Sequence, residues 1–528
     1  MRDFQLPGRS PVYGEAGMCA TSHPVASQVA LSVLLKGGNA VDAAVAAGAV
    51  LSVVEPHMTG IGGDCFAIIS EPDGSVHGYN GSGRAAAAAK TDWFVEQGIT
   101  EISESSIHAV TVPGSLKCWD RLVQDHGKLG LDAALQPAID YAEGGFAVTS
   151  RVAWDWQDLV EGLKRDPGAT KHYLVAGRAP QAGERHTVPA LAKTLRAVAE
   201  GGSDAFYCGA IAAEIAALVQ QYGGLLTEED MAGISCDPLV PVSASYRGVE
   251  VVELPPNGQG ITALTLLKIL EQFDLGSLAP HGAERHHLQL EAGRLAYAMR
   301  DAHITDPDHM RVAVETLISD AYAQQLAASI SPDRRNDSLP SLVPSQSDTV
   351  YLTVADRDGR MVSFINSVYR GFGARVCTMD SGVMLQNRGA CFVVDPAHPN
   401  CIDGGKRPLH TIIPAMARKD GKTWLSFGVM GGAYQAQGHA QVIANMVDYG
   451  MDPQEALDAP RLFWNETGEI VAETPLAGDV FSALEAKGHK MVWADKPHGG
   501  GQIIARDSET GFYWGGSDCR KDGMAIGI

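Results

Sequence analysis

The residue pair with the clearest potential for chemistry is Asp348–Thr349, where a threonine directly follows an acidic residue. A threonine hydroxyl is a weak nucleophile unless a base lies within hydrogen-bonding distance. If the chain is cut before Thr349, the new α-amino group becomes that base, because its intrinsic pKa of roughly 7.7–8 leaves a sizeable neutral fraction near pH 7. Taken alone, a threonine at the start of a strand is explained by β-propensity.

The elements around this junction are those that self-cleavage would need. From Ser329 to Asp348 the chain is filled with turn formers and charges and has no period, which predicts an exposed loop. Two apolar segments, Val350 to Val354 and Met361 to Ile365, then flank a turn and predict a β-hairpin. The sequence therefore predicts a deformable loop that leads into a rigid strand.

The rest of the chain predicts an α/β protein with a helix-rich first two-thirds and a strand-rich last third. Its 528 residues favour one very large α/β domain or several domains. Val25 to Val54 indicates two buried helices separated by a glycine turn, and a strand is expected from Cys65 to Ser70. After the loop we expect strands at Trp424 to Phe427 and Gly501 to Ala505, and a helix from about His439 to Asp448.

Composition excludes several classes of protein. Its formal net charge of −21 would repel phosphate backbones and anionic membranes, so we expect no nucleic acid or membrane partner. Nine cysteines without a CxxC pair predict free thiols in a reducing compartment. Because the N-terminus lacks the apolar segment of a signal peptide, and Ala40 to Val54 is too short to span a bilayer, we expect a cytoplasmic protein.

Three patterns that resemble known sites lack the context those sites require. Gly258 to Ala263 fits a dinucleotide-binding pattern, but Pro255–Pro256 interrupts the passage from strand to turn, so a helix N-terminus is the better interpretation. His498 to Gly501 mimics an oxyanion loop of lipases, yet the chain has no GxSxG elbow. His286–His287 lacks the spacing of a zinc site, which predicts surface histidines on a helix. No metal or organic cofactor is expected.

Eight segments, taken in order over about 480 residues, resemble the γ-glutamyltransferase family of N-terminal-nucleophile hydrolases. They are GGNAVDAAVAAGAVLSVVEPHMTGIGG (37–63), PPNGQGI (255–261), RLAYAMRDAHITDPD (294–308), DTVYLTVADRDG (348–359), GKRPLHTIIPAM (405–416), GVMGGAYQ (428–435), YGMDPQEALDAPR (449–461) and GGSDCR (515–520). The resemblance implies a four-layer αββα sandwich, autocatalytic cleavage and a mature enzyme of two chains.

By this resemblance Thr349 falls on the family's nucleophile, and cleavage after Asp348 yields a large chain, 1–348, and a small chain, 349–528. Ser367 falls where a second threonine supports the nucleophile. Gly431 and Gly432 fall on the glycine pair whose N–H groups form the oxyanion hole, which requires a close approach of the backbone. The implied assembly is an α/β heterodimer from one precursor, which could pair into a dimer of heterodimers.

Other positions depart from the pattern that serves γ-glutamyl substrates. The family holds the substrate's α-ammonium with an acidic residue and amides, and here these positions are Cys391, Tyr369 and Arg388. An ammonium group beside Arg388 would be repelled and would lack a counter-charge. The paired serines that bind the substrate carboxylate correspond to His410 and Thr411, which keep hydrogen-bonding capacity.

The remaining features predict a cationic pocket for a small anionic amide without an α-amino group. Arg84 best matches the family's carboxylate-binding arginine, and Arg388 is the second candidate. We expect hydrolysis of oxamate to oxalate and ammonia, a step of uric acid degradation. The alternatives are a γ-glutamyltransferase or glutathione hydrolase, a glutaryl-type cephalosporin acylase, and an uncleaved binding protein without activity.

Overall fold

The hairpin predicted after the loop lies at the centre of a seven-stranded sheet. The computed structural model describes residues 4–5, 8–339 and 348–528, so residues 340–347 of the predicted loop lie outside the described residues. The hairpin is formed by strands at Asp348–Asp356 and Met361–Tyr369, which contain both predicted segments and extend them.

The strands of the described residues, in chain order, are β1 (Val12–Gly14), β2 (Gly17–Thr21), β3 (Asp64–Ser70), β4 (Val76–Gly81), β5 (Phe146–Ala147), β6 (Arg185–His186), β7 (Asp237–Leu239), β8 (Val242–Tyr246), β9 (Val249–Glu253), β10 (Asp348–Asp356), β11 (Met361–Tyr369), β12 (Ala415–Lys419), β13 (Lys422–Met430), β14 (Leu462–Trp464), β15 (Ile470–Ala472), β16 (Met491–Trp493), β17 (Gly500–Arg506), β18 (Tyr513–Ser517) and β19 (Met524–Gly527).

The helices are α1 (Pro24–Leu35), α2 (Ala40–Val54), α3 (Thr91–Glu96), α4 (Ser115–His126), α5 (Leu131–Gly144), α6 (Ser150–Gln157), α7 (Val160–Leu163), α8 (Pro167–Tyr173), α9 (Pro189–Gly201), α10 (Asp204–Tyr207), α11 (Ala210–Gln221), α12 (Glu228–Ala232), α13 (Gly260–Leu270), α14 (Ala283–His303), α15 (Val314–Leu317), α16 (Asp320–Ala327), α17 (Tyr434–Val447), α18 (Pro453–Asp458) and α19 (Gly478–Ala486).

Two antiparallel sheets of seven strands pack face to face between layers of helices. Sheet I has the order β1-β18-β17-β13-β12-β9-β8, and sheet II has the order β19-β2-β10-β11-β3-β4-β7. Helices α1, α2 and α4 cover the outer face of sheet II, whereas α13, α17 and α18 cover that of sheet I. The predicted αββα sandwich is thereby confirmed.

The alternation of side chains along sheet I shows why its strands need cover on both faces. Successive residues of a strand point to opposite sides of the sheet, so one set faces sheet II and the other faces the helices. Met416, Met430 and Ile504 belong to the core shared with sheet II, and Ala415, Val429 and Ile503 belong to the core beneath α13 and α17.

Both halves of the chain supply strands to both sheets. Strands β1, β8 and β9 of sheet I, and β2, β3, β4 and β7 of sheet II, precede residue 348. The predicted division into a helix-rich first part and a strand-rich last part is confirmed, because helices α1–α16 precede residue 348 and strands β10–β19 begin at or after it. What needs correction is that the first part also supplies seven strands to the two sheets, several of them only three to five residues long and so weak in periodic signal. A chain cut after Asp348 would stay joined by the hydrogen bonds of two sheets.

Two further expectations need correction, and the helical pair near the N-terminus is confirmed. Helix α17 begins at Tyr434, five residues before the predicted start, because the glycine pair at 431–432 ends the preceding strand closer to the helix than expected. His286 and His287 lie on α14 but are buried, and His287 Nδ1 contacts His489 Nε2 at 2.8 Å. None of the described helices combines the length and apolarity needed to cross a membrane.

Candidate active site

Thr349 lies at an irregularity in the pairing of β10 with β11. The register shifts between Asp348 and Val350, so that Ser367 and Val368 of β11 lie opposite the single residue Thr349. A β-bulge of this kind redirects a side chain, and bulges are frequent next to active sites. The Thr349 side chain is fully buried, and its Oγ1 donates to Ser367 Oγ at 3.2 Å.

The Ser367 hydroxyl joins Thr349 to the rest of the site. Its oxygen also accepts from the backbone N–H of Tyr369 at 2.9 Å and from Arg388 Nη2 at 3.3 Å. Tyr369 adopts a φ of 79°, in a region that residues with a side chain rarely occupy. The hydroxyl next to the nucleophile is thus held by one neutral and one charged donor.

Arg388 is a buried cation beside this hydroxyl. Its side chain is 0% exposed, its Nη1 donates to Thr411 Oγ1 at 2.8 Å, and its guanidinium lies 4.2 Å from the ring centre of Tyr369. Among the described side chains, no carboxylate oxygen lies within 4 Å of it, and its Nε has no hydrogen-bond partner. A buried charge without a counter-charge costs several kcal/mol, so Arg388 is poised to gain from an anion.

His410 is a neutral support rather than an open ligand position. The Ile412 N–H donates to His410 Nδ1 at 3.3 Å, so the proton is on Nε2, which donates to Asp64 Oδ2 at 3.0 Å. Burial, and then the charge of Arg388, lowers the pKa of His410 to about 4. Both ring nitrogens are occupied, whereas the neighbouring Thr411 hydroxyl contacts Arg388 directly.

The glycine pair at the end of β13 faces this cluster with unused backbone donors. Gly431 and Gly432 have φ values of 121° and 60°, and a Cβ on Gly431 would lie 2.9 Å from Gly499 Cα. Within the described residues, neither N–H of the pair donates to an acceptor. Gln259 Nε2 donates to the carbonyl oxygens of both Thr411 and Gly432, at 2.7 and 2.9 Å, and so fixes the pair relative to the pocket.

A buried histidine–glutamate pair anchors the strand that carries the glycines. Val429 N–H donates to His439 Nε2 at 3.1 Å, and His439 Nδ1 donates to Glu253 Oε1 at 2.7 Å. Burial lowers the pKa of His439 to about 3 and raises that of Glu253 well above its usual value. The neutral imidazole therefore remains an acceptor for the backbone two residues before Gly431.

A cavity of about 660 Å³ adjoins this cluster at Tyr369 and Thr411, and we call it the acyl cavity. Tyr369, Cys391 and Thr411 lie on its wall, together with Arg300 and Arg370. Four carboxylates lie there too: Asp301 pairs with Arg300 at 2.7 Å, Glu104 and Glu466 contact Arg370 at 2.6 and 3.8 Å, and Glu101 has no ion pair among the described residues. Among the described residues, no group of three or more histidines, cysteines or carboxylates is arranged to hold a metal ion.

Arg84 lies in a separate ion-pair cluster. It contacts Asp306 at 3.5 Å and Asp237 at 3.8 Å, and its Nη1 donates to the Gly405 carbonyl at 3.0 Å. Arg407 shares both carboxylates with it. Arg84 is not among the described residues that line the acyl cavity, and none of its described contacts joins it to Thr349 or Arg388. Hydrogen bonds do connect Thr349, Ser367, Tyr369, Arg388 and Thr411, and Gln259 links Thr411 to Gly432.

Three features together are those of an N-terminal-nucleophile hydrolase: a buried threonine on a central strand, a glycine pair that follows a strand of the facing sheet, and two sheets between helical layers. Residues 26–528 match the family model described as gamma-glutamyltranspeptidase. The chain belongs to that family, as its motifs predicted. It is an autoprocessing amidohydrolase that acts on amide C–N bonds.

Relatives of known sequence and structure extend over the whole chain. It is 38% identical to the "Glutathione hydrolase-like YwrD proenzyme" of Bacillus subtilis, over 98% of this chain and 99% of that one. It is 35% identical to the oxamate amidohydrolase proenzyme of Klebsiella pneumoniae, over 97% and 98%. The crystal structure of cephalosporin acylase from Bacillus halodurans superimposes with a TM-score of 0.93 at 40% identity, covering 100% of this chain and 99% of that chain.

Sequence reasoning missed two residues that hold the site together. Asp64 accepts from His410, and its other oxygen accepts from the Gly83 N–H and Gln386 Nε2 at 2.9 and 2.8 Å. Gln259 bridges the two walls of the site. Gln259 lies in the segment PPNGQGI, which resembles the family. That resemblance was the signal from which its role at the site could have been predicted.

Proposed function

We propose that cleavage between Asp348 and Thr349 matures the protein, and that Thr349 then hydrolyses an anionic amide whose acyl group lacks an α-ammonium, with oxamate as the simplest amide of this class. The observation that carries the proposal is Arg388, a buried cation with no carboxylate partner among the described side chains, joined to the nucleophile through the single hydroxyl of Ser367.

The contacts of Arg388 indicate how the substrate carboxylate would be bound. Because Arg388 donates to Thr411 Oγ1, the hydroxyl proton of Thr411 is left to donate to a ligand in the acyl cavity. A carboxylate there would gain from the positive potential of the guanidinium behind the hydroxyl. An α-ammonium at the same place would meet a like charge, and Cys391 and Tyr369 offer it no counter-charge.

Arg388 also favours Thr349 as a nucleophile. A nearby positive charge disfavours protonation of the freed α-amino group and so lowers its pKa, which leaves more of it neutral to accept the hydroxyl proton. The same charge stabilises negative charge that develops on Thr349 Oγ1. One buried cation therefore supports both the binding of the substrate and the activation of the nucleophile.

Maturation and turnover use the same groups. In maturation, Thr349 Oγ1 attacks the Asp348 carbonyl, the peptide bond shifts to an ester, and water hydrolyses that ester. In turnover, Thr349 Oγ1 attacks the amide carbon while the N–H groups of Gly431 and Gly432 stabilise the oxyanion. The α-amino group passes the hydroxyl proton to the leaving nitrogen, and water then hydrolyses the acyl-enzyme.

A second candidate is a longer, glutaryl-type acyl group. The observation that favours it is the size of the acyl cavity, because about 660 Å³ exceeds what the few atoms of an oxalyl group would fill. A longer acyl chain would fill more of the acyl cavity, whose wall carries Arg300 and Arg370, each already paired with a carboxylate. Both candidates share the anionic acyl group.

The test offers three amides at equal concentration to the cleaved enzyme: oxamate, the monoamide of glutarate, and glutathione. Ammonia is followed for the first two and glutamate for the third, with Thr349→Ala as the inactive control. We expect oxamate or the glutarate monoamide to exceed glutathione by roughly 30- to 1000-fold in kcat/KM, the range for one lost ion pair in a partly desolvated site. Preferential release of glutamate would restore the γ-glutamyl assignment.

A further inference from the structure

A second cavity, of about 270 Å³, adjoins the glycine pair, and we call it the amine cavity. Gly431 is on its wall, and it shares Glu104 and Arg370 with the acyl cavity. The scissile carbonyl is proposed to lie between Thr349 and the N–H groups of Gly431 and Gly432. If the acyl group fills one cavity, the departing nitrogen points toward the other.

The two cavities are joined by a turn with unusual backbone strain. Three residues with a side chain and positive φ lie within residues 369–375, namely Tyr369 (79°), Phe372 (58°) and Arg375 (59°). Six such residues are recorded in the described parts of the chain, so half of them fall in this single turn. Strained conformations of this kind persist where the surroundings enforce them, and they concentrate at ligand sites.

Five cations and three carboxylates are among the described residues that line the amine cavity, and Arg375 differs from the other four cations in having no carboxylate partner. Its acidic residues are all paired: Glu104 with Arg370 at 2.6 Å, Asp155 with Arg151 at 2.7 Å, and Asp158 with Lys496 at 2.5 Å. Arg375 also lines the cavity, and among the described side chains no carboxylate oxygen lies within 4 Å of it.

The position of Arg375 depends on the absence of a side chain at Gly162. A Cβ at Gly162, on α7, would lie 2.4 Å from Arg375 Cδ and 2.9 Å from its Nη1. The long side chain therefore passes over this glycine on its way to the cavity. Replacement of Gly162 offers a means of moving the guanidinium without removing its charge.

Apolar and aromatic groups form the rest of the amine cavity. Tyr434 and His498 stack with ring centres 5.7 Å apart, and Phe463 packs edge-on against Tyr434 at 5.3 Å. Met58 and Met430 add flexible apolar surface. A wall of this kind suits a leaving group with a flat or ring-containing apolar part, and ammonia has no such part.

We infer that the amine cavity receives the leaving group of the physiological substrate, and that this leaving group is an amine with an apolar or ring-shaped body and a carboxylate bound by Arg375. The inference rests on the proposed function and narrows its substrate class. In the step concerned, the amide C–N bond breaks as the Thr349 ester forms, and the hydroxyl proton ends on the nitrogen of the released amine. Oxamate would leave the amine cavity empty.

The experiment compares two leaving groups of equal shape, 4-aminobenzoate and 4-aminobenzamide, each as its oxalyl and its glutaryl amide. With the better acyl group, we expect wild-type kcat/KM to favour the carboxylate-bearing amine by about tenfold or more. Arg375→Met should bring this ratio close to 1 while the kcat/KM for the benzamide amide stays within about threefold. Gly162→Ala should lower the ratio with the charge retained, and Arg185→Met, at an exposed position, should leave it unchanged.

The outcomes separate the inference from the proposed function. Equal rates for the two leaving groups, or a preference that survives Arg375→Met, would overturn the amine cavity as an anion site. Hydrolysis of oxamate without hydrolysis of any of the aryl amides would overturn it as well. If no anionic amide of any kind is hydrolysed by the cleaved enzyme, the proposed function itself fails, and the inference fails with it.

Discussion

Arg84 was the first candidate for the substrate carboxylate and Arg388 the second, yet their surroundings are opposite. Arg84 is 36% exposed and lies within 4 Å of two carboxylates, which it shares with Arg407. Arg388 is 0% exposed and, within the part of the chain that the structure describes, donates to two hydroxyls, those of Thr411 and Ser367. A cation already neutralised by protein carboxylates has little to gain from a further anion, whereas one that is buried with neutral partners has much to gain. Our proposal of Arg388 as the binding arginine therefore rests on local compensation of charge rather than on alignment alone.

The largest expected effect tests the premise of this comparison, that Thr349 is the reacting group. Thr349→Ala should remain one chain of 55.8 kDa and lose activity by at least about 10³-fold, because both cleavage and turnover need the hydroxyl. The wild type should yield a small chain of 180 residues, about 19 kDa, that begins Thr-Val-Tyr-Leu-Thr. N-terminal sequencing and mass spectrometry measure both, and any other start would remove Thr349 from the mechanism.

The second-largest expected effect tests directly whether Arg388, rather than Arg84, binds the substrate carboxylate. Arg388→Met should lower kcat/KM for the best anionic amide by on the order of 10²–10³-fold and slow self-cleavage, because the site loses its buried charge. Arg84→Met should change kcat/KM by less than about threefold and leave cleavage intact. Steady-state kinetics and the time course of cleavage are the measurements, and circular dichroism checks that both variants fold.

The opposite ranking of these two variants would exchange their roles. If kcat/KM fell strongly in Arg84→Met and was unchanged in Arg388→Met, the carboxylate would bind at the Asp237–Asp306 cluster. Arg388→Lys sharpens the test, since it keeps the charge but loses the two-pronged contact with Ser367 and Thr411. We expect it to be intermediate.

The sequence predicted local elements better than distant partners. The hairpin of β10 and β11 follows from alternation and turn residues within twenty positions, and the motifs carry Thr349, Ser367 and the glycine pair. Gln259 and Asp64 act through partners 152 and 346 residues away. Those partners lie on elements whose contact in space cannot be predicted from local sequence patterns. The environment of each arginine likewise depends on which sheets and loops meet, so side-chain type alone could not rank Arg388 above Arg84.

A smaller effect concerns the hydroxyl through which Arg388 acts. Ser367→Ala removes the acceptor of Thr349 Oγ1 and leaves the Tyr369 N–H and Arg388 without their shared oxygen. We expect kcat to fall by about 10- to 100-fold and self-cleavage to slow, with KM for the anionic amide changing less. Ser367→Thr keeps the hydroxyl and should recover most of the rate. A strong rise in KM with unchanged kcat would instead make Ser367 a substrate ligand.

The smallest expected effect is on stability, and it arises from the same buried cation. The pKa of His410 is lowered to about 4 by burial and by the charge of Arg388, below the value of roughly 6.5 expected in an unfolded chain. The unfolded state therefore binds one more proton between about pH 6.5 and 4, so this group makes the free energy of unfolding fall as the pH decreases through that window, by about 1.4 kcal/mol per pH unit.

In the uncleaved Thr349→Ala background, His410→Gln should remove that part of the slope, measured by urea unfolding at pH 7, 6 and 5. His77→Gln, at an exposed position, is the matched control for loss of an imidazole. Adding Arg388→Met to the parent should make the slope shallower within the same window, because the histidine would protonate more readily in the folded state. A slope that is identical in the parent and in His410→Gln would show that His410 is not held neutral in the folded protein, and that the field of Arg388 does not reach it.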